Sequence, residues 1–115
     1  MPSTKSYLDF VLGQIAGLET VSYRAMMGEY ILYYQQKVIG GIYDDRVLLK
    51  PTRSALGILN AEGLGPCFEI PYPGAKEMLV ADIDDRELTC RLIGAIANDL
   101  PSKKLHDRNE KSGGE

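Results

Sequence analysis

Catalytic side chains are scarce in this chain of 115 residues, which contains a single histidine, His106. Nucleophilic catalysis by a Ser-His or Cys-His pair requires both groups to stay within hydrogen-bond reach of each other. His106 lies in the stretch 102–115, which has no Phe, Trp, Tyr or β-branched residue. Such a stretch buries too little apolar surface to become ordered, so we predict a disordered C-terminal tail. The sequence therefore predicts a protein that is not an enzyme.

Patterns that bind metals or phosphates are equally weak. Cys67 and Cys90 stand in no CxxC or paired-histidine context, so they are predicted to be reduced, partly buried thiols. The pair Asp44-Asp45 fits a hairpin turn and Asp84 fits a helix cap, which explains these acids without a cation. The glycine-rich stretch 63–66 matches neither common phosphate-binding loop. We predict neither a metal nor a cofactor.

Three basic residues are the better candidates for a functional role. Arg24 precedes the first apolar run of the chain, Lys50 ends the third, and Arg53 follows closely. One interpretation is a structural ion pair, for example with Glu29 or Glu69. The other is a surface that binds a carboxylate or phosphate of a partner.

Two further features near these residues have two interpretations each. Met26 and Met27, next to Tyr23, form either an adaptable apolar contact patch or part of the core, because methionine side chains repack easily. Gly40-Gly41 falls inside a predicted strand, where glycine indicates a bulge, a bend or the close approach of another group. That group is either the first helix crossing the sheet or a ligand in a groove.

The stretch 29–50 must position most of these residues. Its apolar runs 29–34, 38–43 and 47–50 favour β-branched and aromatic residues and are separated by the polar breaks Gln35-Gln36 and Asp44-Asp45. This pattern predicts an antiparallel meander of three strands, into which the segment 18–27 leads.

The remaining elements are predicted from caps, periodicity and glycine or proline breaks. Ser3 or Thr4 caps a first helix that ends near Gly17, and Asp84 with Glu87 forms a capping box for the last helix. A middle helix is predicted at 52–62 and two short strands at 67–70 and 77–81.

The resulting order, α-β-β-β-α-β-β-α, predicts a two-layer α+β domain with a five-stranded antiparallel sheet. We predict one domain over residues 1–101, followed by the tail 102–115.

The charge distribution bears on the class of partner. The net charge is −3, and no basic domain or stripe is present, so direct nucleic-acid binding is not expected. No apolar stretch approaches the ~20 residues of a membrane helix, and the first residues lack the pattern of a signal peptide. We therefore expect a cytoplasmic protein without a membrane contact.

The run 23–50, followed by EGLGPCFEIPY and KEMLV, resembles the N-terminal domain of the TfoX/Sxy competence regulators. The resemblance covers roughly residues 20 to 98 and depends on short motifs: Arg24, Met26-Met27-Gly28, Leu32-Tyr33, Leu49-Lys50, Gly65, Phe68 and Met78. The chain departs from the family pattern at three places. Glu29 stands where a second glycine is usual, Pro51 where an acid is common, and Asp45-Arg46 where Asp-Gly is frequent.

The resemblance implies a two-layer α+β fold similar to secretion chaperones. It also implies a regulatory role, because full-length members act with a cyclic-AMP receptor protein at promoters of DNA-uptake genes. Those members carry a helical C-terminal domain for which this chain has no room, so we expect a stand-alone N-terminal domain.

We therefore predict a non-enzymatic regulatory or adaptor domain that binds a protein partner or a second copy of itself. The residues predicted to contact the partner are Tyr23, Arg24, Met26, Met27, Lys50 and Arg53. The alternative is a small-molecule or peptide carrier with a groove near Gly40-Gly41.

Overall fold

The computed structural model describes residues 3–101, and it confirms the α+β class. The elements in chain order are α1 (Lys5–Gln14), β1 (Val21–Met26), β2 (Glu29–Tyr34), β3 (Lys37–Ile42), β4 (Val47–Leu49), α2 (Arg53–Ala61), β5 (Phe68–Glu69), β6 (Met78–Val80) and α3 (Arg86–Asp99). The strands form one antiparallel sheet in the order β1-β2-β3-β4-β6-β5. The predicted tail 102–115, with His106, lies outside the described residues.

The sheet has six strands, so the prediction of five is wrong. The missed strand is β1, which was expected to be only a lead into the meander. Of its residues, Val21 is half-buried and the other five are exposed. Residues 21–25 do alternate between apolar and polar side chains, so a period-two signal was present and was overlooked. It is short, and the strand is followed by Met27-Gly28 instead of a polar pair.

The four-stranded meander from β1 to β4 is closed by two-residue turns. Met27-Gly28, Gln35-Gln36 and Asp44-Asp45 all have positive φ angles at both positions. This geometry is that of type I′ turns, whose twist matches the twist of the flanking strands. The polar breaks therefore marked the turns correctly, and the interpretation of Asp44-Asp45 as a hairpin turn is confirmed.

The turn between β2 and β3 should be easy to stabilise. Gln35 and Gln36 have φ angles of 55° and 65°, a region that costs most residues free energy and that asparagine and glycine tolerate. We expect the double variant Gln35→Asn/Gln36→Gly to raise the free energy of unfolding by about 1 kcal/mol. Urea denaturation measures the change, and an unchanged midpoint would contradict the turn assignment.

The core lies between one face of the sheet and all three helices. Leu32, Leu49 and Leu79 occupy one row across β2, β4 and β6 and are fully buried. They pack in one cluster with residues from the three helices: Leu8 and Val11 of α1, Ala55 and Leu59 of α2, and Leu88, Leu92, Ile93, Ile96 and Ala97 of α3. We call this side of the sheet the helix face and the opposite side the outer face. No helix in the described part of the chain is long and apolar enough to cross a membrane.

Of the two helix caps that the sequence predicts, the structure confirms Thr4 and corrects Asp84. Thr4 accepts a hydrogen bond from the Tyr7 amide, and Thr52 accepts one from Ala55. The third helix is capped by Asp85 rather than Asp84, so Glu87 does not complete a capping box. Ile83 is buried, and the Asp85 amide donates a hydrogen bond to the Asp82 carbonyl in a turn that precedes the helix. The helix therefore begins one residue later than predicted.

Asp99 joins the end of α3 to the start of α2. Its carboxylate accepts hydrogen bonds from the Ser54 hydroxyl at 2.7 Å and the Ser54 amide at 2.9 Å. Chiefly because of the hydroxyl bond, the pKa of Asp99 lies below its ordinary value. A carboxyl whose pKa is lowered by folding stabilises the protein above its unfolded-state pKa, and this contribution is lost as the pH falls through the folded-state pKa.

We therefore expect the unchanged protein to be more stable than Asp99→Asn at neutral pH. This difference in the free energy of unfolding should shrink as the pH falls through the folded-state pKa of Asp99. Urea denaturation at a series of pH values measures the difference between the two proteins. Ser54→Ala, which removes the strongest donor, should weaken the same pH dependence. An advantage that stays constant with pH would show that the Asp99 charge is not linked to folding.

Candidate contact surface on the first hairpin

Four of the six predicted contact residues lie together on one hairpin. We call β1, the turn Met27-Gly28 and β2 the first hairpin, and it carries Tyr23, Arg24, Met26 and Met27. Lys50 follows β4, and Arg53 begins α2. Because β2 and β3 separate β1 from β4, Lys50 lies three strand spacings, roughly 14 Å, from the exposed strand. The structure therefore does not bring all six residues into one patch.

The first hairpin displays its apolar side chains to solvent. Met27 at the tip of the turn is 95% exposed, Met26 is 45% exposed and Tyr23 is 43% exposed. The interpretation of the two methionines as core residues is therefore wrong. Tyr23 lies on the helix face, where its ring makes an edge-to-face contact with Tyr30 at a centroid distance of 5.8 Å.

The outer edge of β1 offers backbone hydrogen-bonding groups. Tyr43 and Arg46, which flank the turn Asp44-Asp45, exchange both of their backbone hydrogen bonds, at 2.8 and 3.0 Å. Met26 and Glu29 flank the same kind of turn, and bonded pairs alternate with unbonded pairs along an antiparallel ladder. The groups that point away from β2 therefore belong to Val21, Tyr23 and Ala25. Within residues 3–101, no strand lies beyond β1 to form hydrogen bonds with these groups.

Arg24 lies on the outer face of β1 and is exposed. It forms no salt bridge with any residue of the described range 3–101. The interpretation of Arg24 as a partner of Glu29 or Glu69 in an ion pair is wrong, because Glu69 pairs with Arg46 and Glu29 binds Ser3 and Asp44 instead. The guanidinium group is thus available to a carboxylate of another molecule.

Beside the hairpin turn, the outer face carries a groove of about 490 Å³. It is lined by Met26, Met27, Glu29, Tyr43 and Tyr72. The rings of Tyr43 and Tyr72 lie 6.3 Å apart and separate this groove from a second one of about 370 Å³, which Lys50 helps to line. The pKa of the Tyr43 hydroxyl is raised, first by burial and then by the neighbouring Tyr72 and Glu29.

Gly40 and Gly41 are both buried in β3. A Cβ atom on Gly40 would lie 2.3 Å from the Leu48 carbonyl oxygen, and one on Gly41 would lie 2.7 Å from the Tyr43 ring. The register of β3 against β2 also shifts beside Gly40, which confirms the predicted bulge. The close approach is made at Gly40 by β4, and at Gly41 by the Tyr43 ring and the Tyr30 carbonyl oxygen of β2, not by the first helix. Packing therefore accounts for both glycines, and Tyr43, whose ring lies against Gly41, lines both of the grooves on the outer face.

Sequence reasoning missed the role of Glu29. Its Oε1 atom accepts hydrogen bonds from the Ser3 hydroxyl at 2.7 Å, the Asp44 amide at 3.1 Å and the Ser3 amide at 3.3 Å. The carboxylate thus holds the start of the chain and the turn between β3 and β4 against the first hairpin. A signal was present in the sequence, because Glu29 is an acid at the first position of an otherwise apolar strand. A carboxylate that only contacts solvent does not have to lie in such a strand.

The remaining reactive groups are dispersed. Cys67 is exposed, which corrects the prediction that it is partly buried, whereas Cys90 is half-buried and burial raises its pKa. Both thiols are free. In the described range 3–101, no three histidine, cysteine or acidic side chains are grouped as a metal site would require.

Together these features define a small antiparallel α+β domain with an open edge strand and an exposed methionine-tyrosine surface. No family model matches the chain. The chain is 34% identical over 116 residues to the "Uncharacterized 12.7 kDa protein in trpE 5'region" of Spirochaeta aurantia, and the match covers 99% of this chain and 97% of that protein. The chain belongs to the same family as this Spirochaeta aurantia protein.

Proposed function

We propose that this chain is a non-enzymatic regulatory or adaptor domain of the TfoX N-terminal type that acts by protein-protein contact. The observation that carries the proposal is the exposure of the first hairpin. Within residues 3–101 its outer edge pairs with no other strand, Tyr23 is exposed on the helix face, and Arg24 and Met26 are exposed on the outer face, with Met27 at the tip. The proposal includes a cytoplasmic location, where free thiols such as Cys67 and Cys90 persist.

The first hairpin combines three modes of contact. The edge of β1 provides main-chain donors and acceptors for an added strand. Met26 and Met27 provide apolar area that adapts to the shape of a partner. Arg24, which forms no salt bridge within residues 3–101, provides a positive charge that selects a carboxylate or phosphate. A binding surface built in this way needs no catalytic group.

The proposal predicts that captured proteins depend on the hairpin. The immobilised protein and a Tyr23→Ser/Met27→Ser variant would be incubated with lysate of the source organism, and the retained proteins would be compared by quantitative mass spectrometry. We expect at least a tenfold loss of a specific partner with the variant, because two exposed anchors are removed. Phe10→Ser is the matched control, since Phe10 on α1 is 44% exposed, similar to Tyr23. Equal capture by the unchanged protein and the hairpin variant would contradict the proposal.

A carrier of a small molecule or peptide is the second candidate. It is favoured by the two adjacent grooves on either side of Tyr43 and Tyr72, whose volumes of about 490 and 370 Å³ lie in the range of ligand sites. A ligand in either groove would raise the melting temperature in a screen of metabolites, because binding stabilises the folded state. Tyr72→Ala should abolish the shift. Absence of any shift across the panel would count against a carrier.

A further inference from the structure

We propose that β1 pairs with β1 of a second copy of this chain, in antiparallel orientation about a two-fold axis at Tyr23. The two six-stranded sheets would then form one continuous sheet of twelve strands. This inference rests on the proposed function in taking the first hairpin as the contact surface, and it specifies the partner as a second copy.

The edge of β1 lacks the devices that usually prevent strand addition. Protected edges are short, contain proline or a bulge, or carry several charges. β1 has six residues, pairs with β2 in an unbroken register and carries Arg24 as its only charge. The opposite edge of the sheet, β5, has two residues. Within the described residues 3–101, β1 is therefore the edge that is suited to pairing.

The backbone groups of β1 match those of a second copy in one register better than in others. Outward groups occur at Val21, Tyr23 and Ala25, because the intervening residues bond to β2. When Tyr23 faces Tyr23 of the second copy, Val21 faces Ala25 of that copy, so every outward group meets an outward group. This register forms about six backbone hydrogen bonds. Any shift along the strand leaves some of these groups without a partner.

The side chains are compatible with the same register. On the helix face, Tyr23 would lie beside Tyr23 of the second copy, and Val21 beside Ala25, so only apolar and aromatic side chains meet. On the outer face, Arg24 would lie opposite Ser22 of the second copy. A shift that pairs Tyr23 with Ala25 would instead place Arg24 opposite Arg24, where like charges repel. The sequence of β1 therefore favours self-pairing centred on Tyr23.

The first test is the mass of the protein in solution. Pairing of one strand buries less area than a standard interface, so the dimer should dissociate on dilution. Light scattering is expected to give twice the 12.7 kDa of one chain at high concentration and one chain mass at low concentration. Ala25→Pro removes an outward amide from each copy and leaves the bonds to β2 in place. We expect it to weaken dimerisation about thirtyfold, because about two hydrogen bonds are lost.

The second test reads the register by disulfide formation in a Cys67→Ser/Cys90→Ser background. Directly opposed residues of a hydrogen-bonded pair have Cα atoms about 5.5 Å apart, which a disulfide spans. Tyr23→Cys should therefore give a covalent dimer on mild oxidation. Ser22→Cys, one position away and also exposed, is the matched control. In the proposed register, position 22 of one copy faces position 24 of the other, so two Ser22→Cys chains should not form a disulfide. The double variant Ser22→Cys/Arg24→Cys places cysteines at facing positions and should form one.

Each outcome supports or overturns the inference. A concentration-dependent dimer that Ala25→Pro weakens and Tyr23→Cys captures supports it. A protein that is monomeric at all concentrations overturns it, as does equal crosslinking through Ser22→Cys and Tyr23→Cys. If the protein is monomeric but the hairpin variant still loses a different partner from lysate, self-pairing fails and the adaptor proposal stands. If the dimer forms but the capture of other proteins from lysate does not depend on the hairpin, the adaptor proposal fails and the self-pairing inference stands.

Discussion

Replacing Gly40 by alanine is expected to lower the free energy of unfolding by about 3 kcal/mol. The new Cβ atom would lie 2.3 Å from the Leu48 carbonyl oxygen and 2.8 Å from the Leu49 Cα atom, and both belong to the backbone of β4. Neither contact is relieved by a rotamer change, so β3 and β4 must separate at the centre of the sheet. Overpacking of a tight core costs up to about 3 kcal/mol. Urea denaturation of the purified variant measures the loss.

Gly57→Ala is the matched control for this prediction. Gly57 is exposed in α2, and a Cβ atom at this position would meet nothing within 4 Å, so alanine there should stabilise the helix by about 1 kcal/mol. The pair of variants also separates two explanations for glycine in β3. If a ligand rather than packing required Gly40, alanine at that position would leave stability unchanged and abolish ligand binding. A Gly40→Ala protein as stable as the unchanged protein would contradict the packing explanation.

The elements that the sequence predicted are those with local signals. The strands β2, β3 and β4 combine apolar runs with polar two-residue turns, and the positive φ angles at Gln35-Gln36 and Asp44-Asp45 show that those breaks are turns. The edge strand β1 has only the five-residue alternation from Val21 to Ala25, and it is followed by Met27-Gly28 instead of a polar turn. Its side chains are mostly exposed, so its place in the sheet depends on its pairing with β2, which is a tertiary property.

The candidate site was only partly predictable for a related reason. Tyr23, Arg24, Met26 and Met27 are close in sequence and share one hairpin, so their proximity follows from local structure. The distance to Lys50 instead depends on the strand order, and the Arg46–Glu69 ion pair depends on where β5 joins the sheet. Neither property follows from the spacing of residues along the chain.

Glu29 is a position at which the chain departs from the TfoX/Sxy pattern that its sequence resembles, and the structure gives this departure an explanation. The TfoX-like motif would have glycine at this position, whereas this chain places a carboxylate there. In the structure, that carboxylate binds Ser3 and the Asp44 amide, and the Ser3 amide also donates to the Gly28 carbonyl in the hairpin turn. Thr4 completes the junction, because its amide donates to the Asp45 carboxylate at 2.9 Å. The acid thus connects the chain start, the first hairpin and the next turn.

We expect Glu29→Ala to lower the free energy of unfolding by about 2 kcal/mol, because the Ser3 and Asp44 donors lose a charged acceptor that is partly shielded from water. Glu29→Gln, which keeps an acceptor oxygen without the charge, should lose about half as much. A double-mutant cycle with Ser3→Ala isolates the contact, and the two substitutions should be less than additive because they remove the same bond. Fully additive losses would show that Glu29 does not act through Ser3. Since the junction lies beside Met26 and Met27, loosening it should also weaken partner capture by the first hairpin, while Gln35→Asn/Gln36→Gly at the other end of β2 should not.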